Sequence, residues 1–426
     1  MSVEKKSTDE VFDIVIVGGG LVGSSVAALL AQSPSTQALR IAVVDGGDAP
    51  TSLENIVGFD TTENPQFDPR VVALTHASQT LFAQLGIWDN IKQRRACAYT
   101  DMHVWDNDGT ANIHFSAEDI QQTHLGYIVE NALLQGAVYE CLMDEENEVT
   151  MFHGLQIETI TQEAEQCHQK TGDSSNIILS CKTGEQISAK LVVAADGGQS
   201  TIRQLADIPT REWSYEHKAI VATVRSSKSH QLTAWQNFLS TGPLAFLPLD
   251  HPSENYCSIV WSLDSELADE MMQLNEDDFC CALSRAFQHR LGDVEYVSQR
   301  YCFPLHQRHA VDYVKDNIVL VGDAAHTIHP LAGQGVNLGL LDAQALVAEL
   351  IRGVERGLTV NEPSLLRRYQ RQRKANNLEV MLLMEGLKRL FSHRNIAVRW
   401  LRNVGLKKVN QLAPLKNWLT KRAIRD

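Results

Sequence analysis

Short apolar runs alternate with segments of helical spacing at the start of the chain. The apolar run Val11–Val17 precedes a glycine-rich turn and the helix-like segment Leu21–Ala31, and a second apolar run covers Arg40–Val44. Short apolar runs bounded by turn residues are typical of buried strands, and their alternation with helical segments is typical of a parallel sheet. The pattern therefore predicts an α/β domain at the amino terminus.

Beyond the first long loop, apolar spacing predicts two more helices and then a series of strands. The helices are expected over Val72–Leu85 and Tyr127–Leu142, and strand-like segments alternate from Val149 to Ala195. The later strands and one helical stretch are predicted at Ala219–Arg225, Leu244–Leu249, Cys257–Leu263, Glu266–Leu291 (helical) and Tyr301–Pro304.

The last regular feature is a short buried strand, Ile318–Val321, followed by a loop and a helix. The loop Pro330–Gly335 opens a helix that runs to about Arg352. We expect a two-lobed fold of the α/β (α+β) class, in which a Rossmann-type lobe is discontinuous in sequence. That lobe comprises residues 1–110, 150–205 and 300–350 with helix 127–142 packed on it, residues 206–300 form an inserted β-sheet lobe, and residues 351–426 form a basic helical region.

The first turn has the spacing of a phosphate-binding loop. Gly18, Gly20 and Gly23 form a G-x-G-x-x-G element between the first predicted strand and helix. One glycine makes the turn, one lets the backbone approach a pyrophosphate, and one lets the helix pack on the strand. Asp45 follows the second strand at about the spacing where an acidic residue bonds the adenosine ribose. These residues predict a dinucleotide site; a glycine-rich turn in an ordinary α/β domain is the alternative.

Charge is distributed unevenly along the 426 residues. The net charge of −14 argues against nucleic acid as a partner, because its phosphates would be repelled. From Arg352 to Asp426, however, eighteen Lys and Arg residues face five Asp and Glu residues. This basic tail and the acidic remainder are expected to meet different surroundings.

The cysteines and the first apolar stretch bear on localisation. Eight scattered cysteines contain no C-x-x-C pair, which fits neither a disulfide framework nor a zinc or redox pair. The uncharged stretch Ile14–Ala31 contains four glycines, so we interpret it as a turn and helix rather than a signal peptide or membrane span. We expect a cytoplasmic protein, with a peripheral position on the inner face of the membrane left open.

Three separated motifs occur in a fixed order along the chain. They are Gly18-x-Gly20-x-x-Gly23; Ala195-Asp196-Gly197 with Ser200 and Arg203; and Gly322-Asp323 with His326, Pro330, Gly333, Gln334, Gly335 and Asn337. Together they resemble the flavoprotein aromatic hydroxylases of the para-hydroxybenzoate hydroxylase class. Five longer segments look like the ubiquinone-biosynthesis branch of that class, and within it the 2-polyprenylphenol hydroxylases: Arg95–Tyr99, Met102–Asp106, His124–Asn131, Gly242–Leu249 and Gly322–Gly339.

The resemblance implies an FAD site with assigned roles. Asp323 would accept hydrogen bonds from the ribityl chain, and the Pro330–Gly335 loop would face the flavin pyrimidine edge. Asp196 and Arg203 would lie near the pyrophosphate and serve NAD(P)H use, and Arg70 would touch FAD or the donor. The full set implied to bind the cofactor is Gly18, Gly20, Gly23, Asp45, Arg70, Asp196, Gly197, Arg203, Gly322, Asp323, Pro330, Gly333, Gln334, Gly335 and Asn337.

The resemblance also implies the reaction. NAD(P)H reduces FAD, O₂ adds to give a C4a-hydroperoxide, and the ring of a polyprenylated phenol in ubiquinone biosynthesis attacks its distal oxygen. The absence of a second G-x-G-x-x-G favours a transient nicotinamide donor over a dedicated donor domain. No sequence feature identifies a catalytic acid or base. The ring position, a flavin oxidase or reductase without oxygen insertion, and a flavin-bound accessory protein in a biosynthetic assembly remain as alternatives.

Plainer interpretations compete for several residues. Asp196-Gly197 is also compatible with a simple turn, Arg203 with a surface cation, and Asp323 with a helix cap. His326 and His329 are three residues apart, but no carboxylate or cysteine joins them, so no metal site is predicted. The basic tail fits either a helix on anionic lipid or a partner protein, or helices packed on the FAD lobe with their cations in solvent.

Overall fold

The computed structural model describes residues 11–51, 53, 56, 65–107, 112–144, 147–162, 176–327, 335–392, 412, 414 and 416–417. Pro330, Gly333 and Gln334 lie outside the described residues, as does most of the chain after residue 392.

The strands are β1 (Val11–Val17), β2 (Ile41–Val44), β3 (Val71–Leu74), β4 (Ala96–Tyr99), β5 (Asp101–Asp106), β6 (Asn112–Ser116), β7 (Gly126–Glu130), β8 (Val149–Phe152), β9 (Ile157–Gln162), β10 (Ile177–Cys181), β11 (Gln186–Ala194), β12 (Thr210–Ser226), β13 (Thr233–Leu239), β14 (Gly242–Pro248), β15 (Tyr256–Asp264), β16 (Val294–Val297), β17 (Tyr301–Ala310), β18 (Val314–Lys315), β19 (Ile318–Leu320) and β20 (His326–Thr327).

The helices are α1 (Leu21–Ala31), α2 (His76–Gln84), α3 (Trp88–Arg95), α4 (Asn131–Leu142), α5 (Thr201–Leu205), α6 (Ser265–Gln273), α7 (Glu276–Ala286), α8 (Gly335–Val354) and α9 (Pro363–Ser392), with 3₁₀ turns at Glu118–Ile120 and Gly322–Ala324. The strands form three sheets. The first has the order β18-β19-β11-β1-β2-β8, with β10 and β9 extending from β11. The second has the order β20-β17-β12-β15-β14-β13-β5-β6, with β16 on β12, and the third is the small sheet β3-β7-β4.

The predicted α/β class is confirmed, and the first strand and helix have the predicted bounds. β1 is apolar and pairs in parallel with β11 on one side and β2 on the other. Helix α1 is apolar around most of its circumference because it contacts both α4 and α8. The core of this lobe fills the space between the first sheet and these helices.

Two predicted helices begin too early. Val71–Leu74 is a strand that pairs with β7, and helix α2 begins only after Thr75, whose hydroxyl caps it at Ser78 N. Likewise Gly126–Glu130 is a strand, and α4 begins at Asn131. In both cases a buried strand runs directly into a helix, so apolar spacing alone cannot separate them.

The second sheet contains the predicted later strands and more. The predicted helical stretch Glu266–Leu291 is two helices, α6 and α7, which pack on this sheet around Trp261, Phe279 and Phe287. Strand β5, placed by sequence in the first lobe, pairs with β13 in the second sheet. Sheet membership does not fix lobe boundaries, so the division at residues 110, 150, 205 and 300 stays a prediction.

Helix α9 packs its first half on the first lobe. Leu366 and Tyr369 are buried there, and the Tyr369 hydroxyl donates to Leu320 O at 2.8 Å. Arg367 and Arg371, by contrast, are exposed. This half of the helix therefore packs on the lobe, as one of the two interpretations expects, but not all of its cations are solvated, because Arg373 is buried. Within the described part of the chain, no helix combines the length and apolarity needed to cross a membrane.

The turn after β1 fixes the spacing between neighbouring strands. Gly18 has a φ of +108°, and a Cβ there would overlap the carbonyl oxygen of Ala195, the residue that follows β11. Gly20, the cap of α1, has a φ of −69°, and a Cβ there would meet no atom within 4 Å. The two glycines thus differ in what the fold demands of them.

We predict that Gly18→Ala lowers the free energy of unfolding of the apoprotein by about 2 kcal/mol or more, because it combines backbone strain with steric overlap. Gly20→Ala is the matched control and should change that free energy by less than about 0.5 kcal/mol. Urea unfolding followed by circular dichroism measures both. Equal loss in the two variants would contradict the assignment.

His309 gives the fold a dependence on pH. It lies in β17 opposite His326 of β20, is buried, and contacts the Tyr313 hydroxyl through Nε2 at 3.1 Å. Burial, with the neighbouring His326 and Lys374, lowers the pKa of His309 from 6.5 to about 4. The neutral ring therefore contributes stability above pH 6.5, and this contribution falls as the pH drops toward 4.

His309→Gln should accordingly make the protein less sensitive to acid. Between pH 7 and pH 5 the wild type is expected to lose about 2 kcal/mol of unfolding free energy that the variant does not lose. The exposed His306→Gln on the same strand is the control. If the difference between wild type and His309→Gln is the same at both pH values, the assignment is wrong.

Candidate functional site

The carboxyl ends of four parallel strands meet at one edge of the first sheet. Val44 of β2 pairs with Val17 of β1, Val17 with Ala194 of β11, and Ala194 with Leu320 of β19. The residues that follow these strands carry Asp45 and the three motifs of the sequence. Sequence segments that lie up to three hundred residues apart therefore form one continuous surface, at the edge where open α/β sheets bind ligands.

The start of helix α1 faces this surface with its backbone donors available. Gly20 caps the helix without any side-chain hydrogen bond, and the first turn contains no acidic residue. The space around Gly20 is open, whereas Gly23 packs so closely on Gly18 O that a Cβ would overlap it. A helix start with free N–H groups and an approachable backbone is suited to an anion.

Asp45 closes the turn from the side of β2. Its Oδ2 accepts from Gly19 N at 2.5 Å, and its Oδ1 accepts from Gly47 N at 2.7 Å. Each carboxylate oxygen can accept a second hydrogen bond. Asp45 thus supports the glycine turn and keeps acceptor capacity for a hydroxyl-bearing ligand.

In the second motif, Asp196 and Ser200 cap a helix, and one carboxylate oxygen of Asp196 has no donor. Asp196 Oδ2 accepts from Ile202 N at 3.1 Å, and Ser200 Oγ accepts from Arg203 N at 3.0 Å, so both cap α5. Asp196 Oδ1 is buried and has no hydrogen-bond partner in the described structure. A buried carboxylate oxygen without a donor is costly, which points to a group absent from the protein.

Arg203 is not a surface cation. It is buried and donates to Ala324 O and to Gly198 O, each at 2.8 Å. It therefore ties the second motif, with Gly197 and Gly198, to the third motif. The Arg203 guanidinium therefore holds these two loops together and is not exposed to solvent.

Asp323 sits in the 3₁₀ turn Gly322–Ala324 at the end of β19. Its side chain is reached by solvent and has no hydrogen-bond partner among the described residues. Protein atoms nevertheless surround it closely, and this desolvation raises the pKa of its carboxyl, partly offset by His326. Accessible but poorly hydrated, this carboxylate would gain from a ligand with hydroxyl donors.

The third motif continues into α8, which starts at Gly335 as predicted. The Asn337 side chain is buried: Oδ1 accepts from Ser78 Oγ at 2.7 Å, and Nδ2 donates to Ala73 O at 2.8 Å. These bonds join α8 to the strand and helix that follow the Arg70 segment. The side-chain amide of Asn337 thus bonds other residues of the same chain, Ser78 and Ala73.

Arg70 is exposed at the end of a segment held by a buried ion pair. Arg95 Nε lies 2.9 Å from Glu130 Oε2, and Glu130 Oε1 accepts from Asp68 N at 2.6 Å. Asp68 Oδ1 in turn accepts from Arg70 N at 2.9 Å. Burial, only partly offset by Arg95, raises the pKa of Glu130 to about 7. The Arg70 backbone is therefore fixed while its side chain stays available.

Sequence reasoning missed the residues that support the site from behind. Asp342 of α8 is fully buried and bonds His326, Gly322 N and two residues of α9, Arg373 and Asn377. The signal was a single aspartate in the otherwise apolar first part of a predicted helix. The sequence does not distinguish its cationic partner, Arg373, from the neighbouring arginines and lysines of the same segment.

An apolar cluster joins the small sheet to the second sheet. We call it the interlobe cluster. Its members come from β3, β4, β7 and the strands β14 to β16 with adjoining loops: Cys97, Ile128, Leu249 and Tyr256, with Phe67, Val71, Ala73, Tyr99, Leu232, Leu247 and Tyr296 packed against them. Trp105 and Trp261 lie in a separate core cluster with residues of α7, so these two tryptophans contribute to packing of the second sheet.

The described residues contain no group of three or more His, Cys, Asp or Glu side chains arranged to hold a metal ion. His326 is committed to Asp342, and His329 lies outside the described residues. The unused acceptors on Asp45, Asp196 and Asp323, together with the open helix start, fit a dinucleotide with sugar hydroxyls and a pyrophosphate.

Comparison with known proteins agrees with this geometry. Residues 11–381 match the family model of the FAD binding domain. The chain is 34% identical to the 3-demethoxyubiquinol 3-hydroxylase of Escherichia coli, over 98% of this chain and 99% of that protein. It is 31% identical to the zebrafish ubiquinone biosynthesis monooxygenase COQ6, over 96% of this chain and 89% of that protein.

Solved structures share the fold. The p-nitrophenol 4-monooxygenase PnpA of Pseudomonas putida superposes with a TM-score of 0.73 at 19% identity, covering 97% of this chain and 98% of that one. At this identity the likeness supports the architecture alone. The family match and the relatives above 30% identity go further: the chain belongs to the FAD-binding-domain family of flavoproteins and is an FAD-dependent monooxygenase.

Proposed function

We propose that the protein hydroxylates the ring of a polyprenylated phenol in ubiquinone biosynthesis, with FAD bound at the edge of the first sheet. The observation that carries the proposal is the meeting of three motifs at that edge, with acceptors left unused on Asp196 and Asp323. The names of two relatives above 30% identity, a ubiquinone biosynthesis monooxygenase and a 3-demethoxyubiquinol 3-hydroxylase, support the substrate class.

Different residues contact different parts of FAD. The start of α1 at Gly20 takes the pyrophosphate, Asp45 accepts from the adenosine ribose, and Asp323 accepts from the ribityl hydroxyls. The helix start at Gly335 supplies backbone donors near the ring system. When bound, FAD supplies the activated oxygen for hydroxylation, and the protein positions the substrate ring and excludes water.

Arg70 is our candidate for contact with a nicotinamide donor. Its side chain is exposed, and its backbone is fixed by Asp68. The sequence contains a single G-x-G-x-x-G element, so we infer that NAD(P)H binds transiently over the FAD lobe. A guanidinium suits the donor's phosphates.

The interlobe cluster is our candidate for the phenol pocket. It lies between the sheet that follows the Arg70 segment and the second sheet, and it is apolar with the aromatic rings of Phe67, Tyr99 and Tyr296 only partly buried. Such a surface suits a prenylated ring. Two ring positions are candidates, since the sequence resembles 2-polyprenylphenol hydroxylases and the Escherichia coli relative is a 3-demethoxyubiquinol 3-hydroxylase.

The test is product identification with purified holoprotein. We expect a product heavier by one oxygen, formed with NAD(P)H and O₂, from either a short-chain 2-prenylphenol or a short-chain demethoxyubiquinol, and the reactive substrate names the ring position. Peroxide without a hydroxylated product from either would indicate an oxidase. A protein that binds no FAD would overturn the proposal.

Two variants connect the reaction to the site. Asp323→Asn and Gly20→Ala should each weaken FAD binding by about tenfold or more, because one loses a charged acceptor and the other fills the pyrophosphate space. Flavin fluorescence quenching measures this. The exposed Asp293→Asn in the second lobe is the control. Unchanged FAD affinity in both variants would place the cofactor elsewhere.

We also propose that α9 touches an anionic membrane surface. Its solvent-facing side carries Arg367 and Arg371 and then the exposed leucines Leu378, Leu382 and Leu383. Cations followed by exposed apolar residues on one helix are typical of interfacial binding. A prenylated substrate that partitions into lipid would reach the enzyme there.

Sedimentation with vesicles tests this contact. The double variant Leu382→Asp with Leu383→Asp should bind anionic phosphatidylglycerol vesicles about fivefold or more weakly than the wild type, because it removes apolar contact and adds repulsion. Leu358→Asp, at an exposed leucine between α8 and α9, is the matched control. Equal binding by all three proteins, or no binding by the wild type, would contradict the proposal.

A further inference from the structure

Asp342 is a buried carboxylate whose acceptor capacity is filled. Oδ2 accepts from His326 Nε2 at 2.5 Å and from Gly322 N at 3.1 Å. Oδ1 accepts from Arg373 Nε at 2.7 Å and from Asn377 Nδ2 at 3.1 Å. Burial alone would raise the pKa of Asp342, but His326 and Arg373 hold it below its usual range. The group is therefore an anion inside the lobe.

Two of these four donors stand on either side of Asp323. Gly322 precedes it and His326 follows it by three residues, so one carboxylate holds both ends of the short turn that presents Asp323. Gly322 has a φ of +59°. Glycine adopts positive and negative φ values about equally readily, so the residue type alone does not fix this conformation. His326 is fully buried, and its Nδ1 has no partner in the described structure, so the bond to Asp342 is what orients the ring.

The other two donors come from one face of α9. Arg373 and Asn377 are one helical turn apart, both are buried, and Arg373 Nη2 also donates to Asn377 Oδ1 at 2.9 Å. Asn377 further contacts the Tyr313 hydroxyl at 3.3 Å. The pair thus forms a rigid support behind Asp342, built from the helix that follows the FAD lobe in sequence.

We propose that Asp342 and Arg373 are positioning residues for the FAD contact of Asp323. This rests on the proposed cofactor role of Asp323. The carboxylate of Asp342 holds the Gly322–His326 turn in place, and Arg373 with Asn377 holds that carboxylate. Helix α9 therefore contributes to cofactor affinity without touching the cofactor.

The experiment is a double-mutant cycle read as FAD affinity of the apoprotein. Arg373→Met should weaken FAD binding about tenfold. Combined with Asp323→Asn, it should add less than about a further twofold, because the two residues act through the same contact. Effects that simply multiply would show that Arg373 stabilises the fold without acting through Asp323, and would overturn the proposal.

Three further variants keep the test decisive. Asn377→Ala removes one donor to Asp342 but keeps Arg373, so the buried carboxylate is still neutralised. It should weaken FAD binding less than Arg373→Met does, and it should show the same coupling to Asp323. Arg373→Lys should recover part of the affinity. Asn376→Ala, at an exposed asparagine on the same helix, is the control and should leave affinity unchanged.

The rate of FAD release from the holoprotein gives an independent readout. Arg373→Met and Asn377→Ala should speed FAD release in protein that keeps Asp323 and should change it little in combination with Asp323→Asn, whereas lower stability alone should speed release in both backgrounds. If Asp323→Asn itself leaves FAD affinity unchanged, the proposed cofactor role fails. If Asp323→Asn weakens binding and the α9 variants do not, only this inference fails.

Discussion

The site depends on the parallel pairing of β1 with β11, and of β11 with β19. These strands are far apart in sequence, yet the register brings Val17, Ala194 and Leu320 level, so the three loops that follow begin at the same height. The close approach of Gly18 to the Ala195 carbonyl sets the distance between the first two loops. A change in this register would separate acceptors that a dinucleotide must reach together.

Unused acceptor capacity distinguishes the carboxylates that face a ligand from the one that does not. Asp45, Asp196 and Asp323 each keep lone pairs without a donor in the described structure, and all three lie at the strand ends. Asp342 instead bonds the backbone of the third loop and residues of α9, and it has four donors for its four acceptor positions. In the function proposed above, the first three accept from hydroxyl or amide donors outside the chain, while the fourth is part of the scaffold.

Local signals explain which parts of this arrangement were predictable. β1, the glycine turn and α1 were predictable because strand, turn and helix start are all encoded within twenty residues. The predicted helices over Val72–Leu85 and Tyr127–Leu142 include residues of β3 and β7, which are strands through pairing within the small sheet, and no local pattern reports that pairing. The order of the three motifs indicated a common site, but the commitment of Arg203 and Asn337 to protein contacts depends on neighbours distant in sequence.

The fold places the cations of helix α9 in two different surroundings. Its cations are nearly indistinguishable in sequence, but the helical period turns Arg373 inward to Asp342 and leaves Arg367 and Arg371 in solvent. A buried guanidinium is tolerated because it neutralises a buried carboxylate, and that carboxylate is tolerated because it holds the turn beneath the cofactor. In the proposals made above, the inward face supports the flavin site, and the outward face meets the surface that delivers an apolar substrate. Any movement of α9 on a membrane would reach Asp323 through a chain of only three hydrogen-bonded groups.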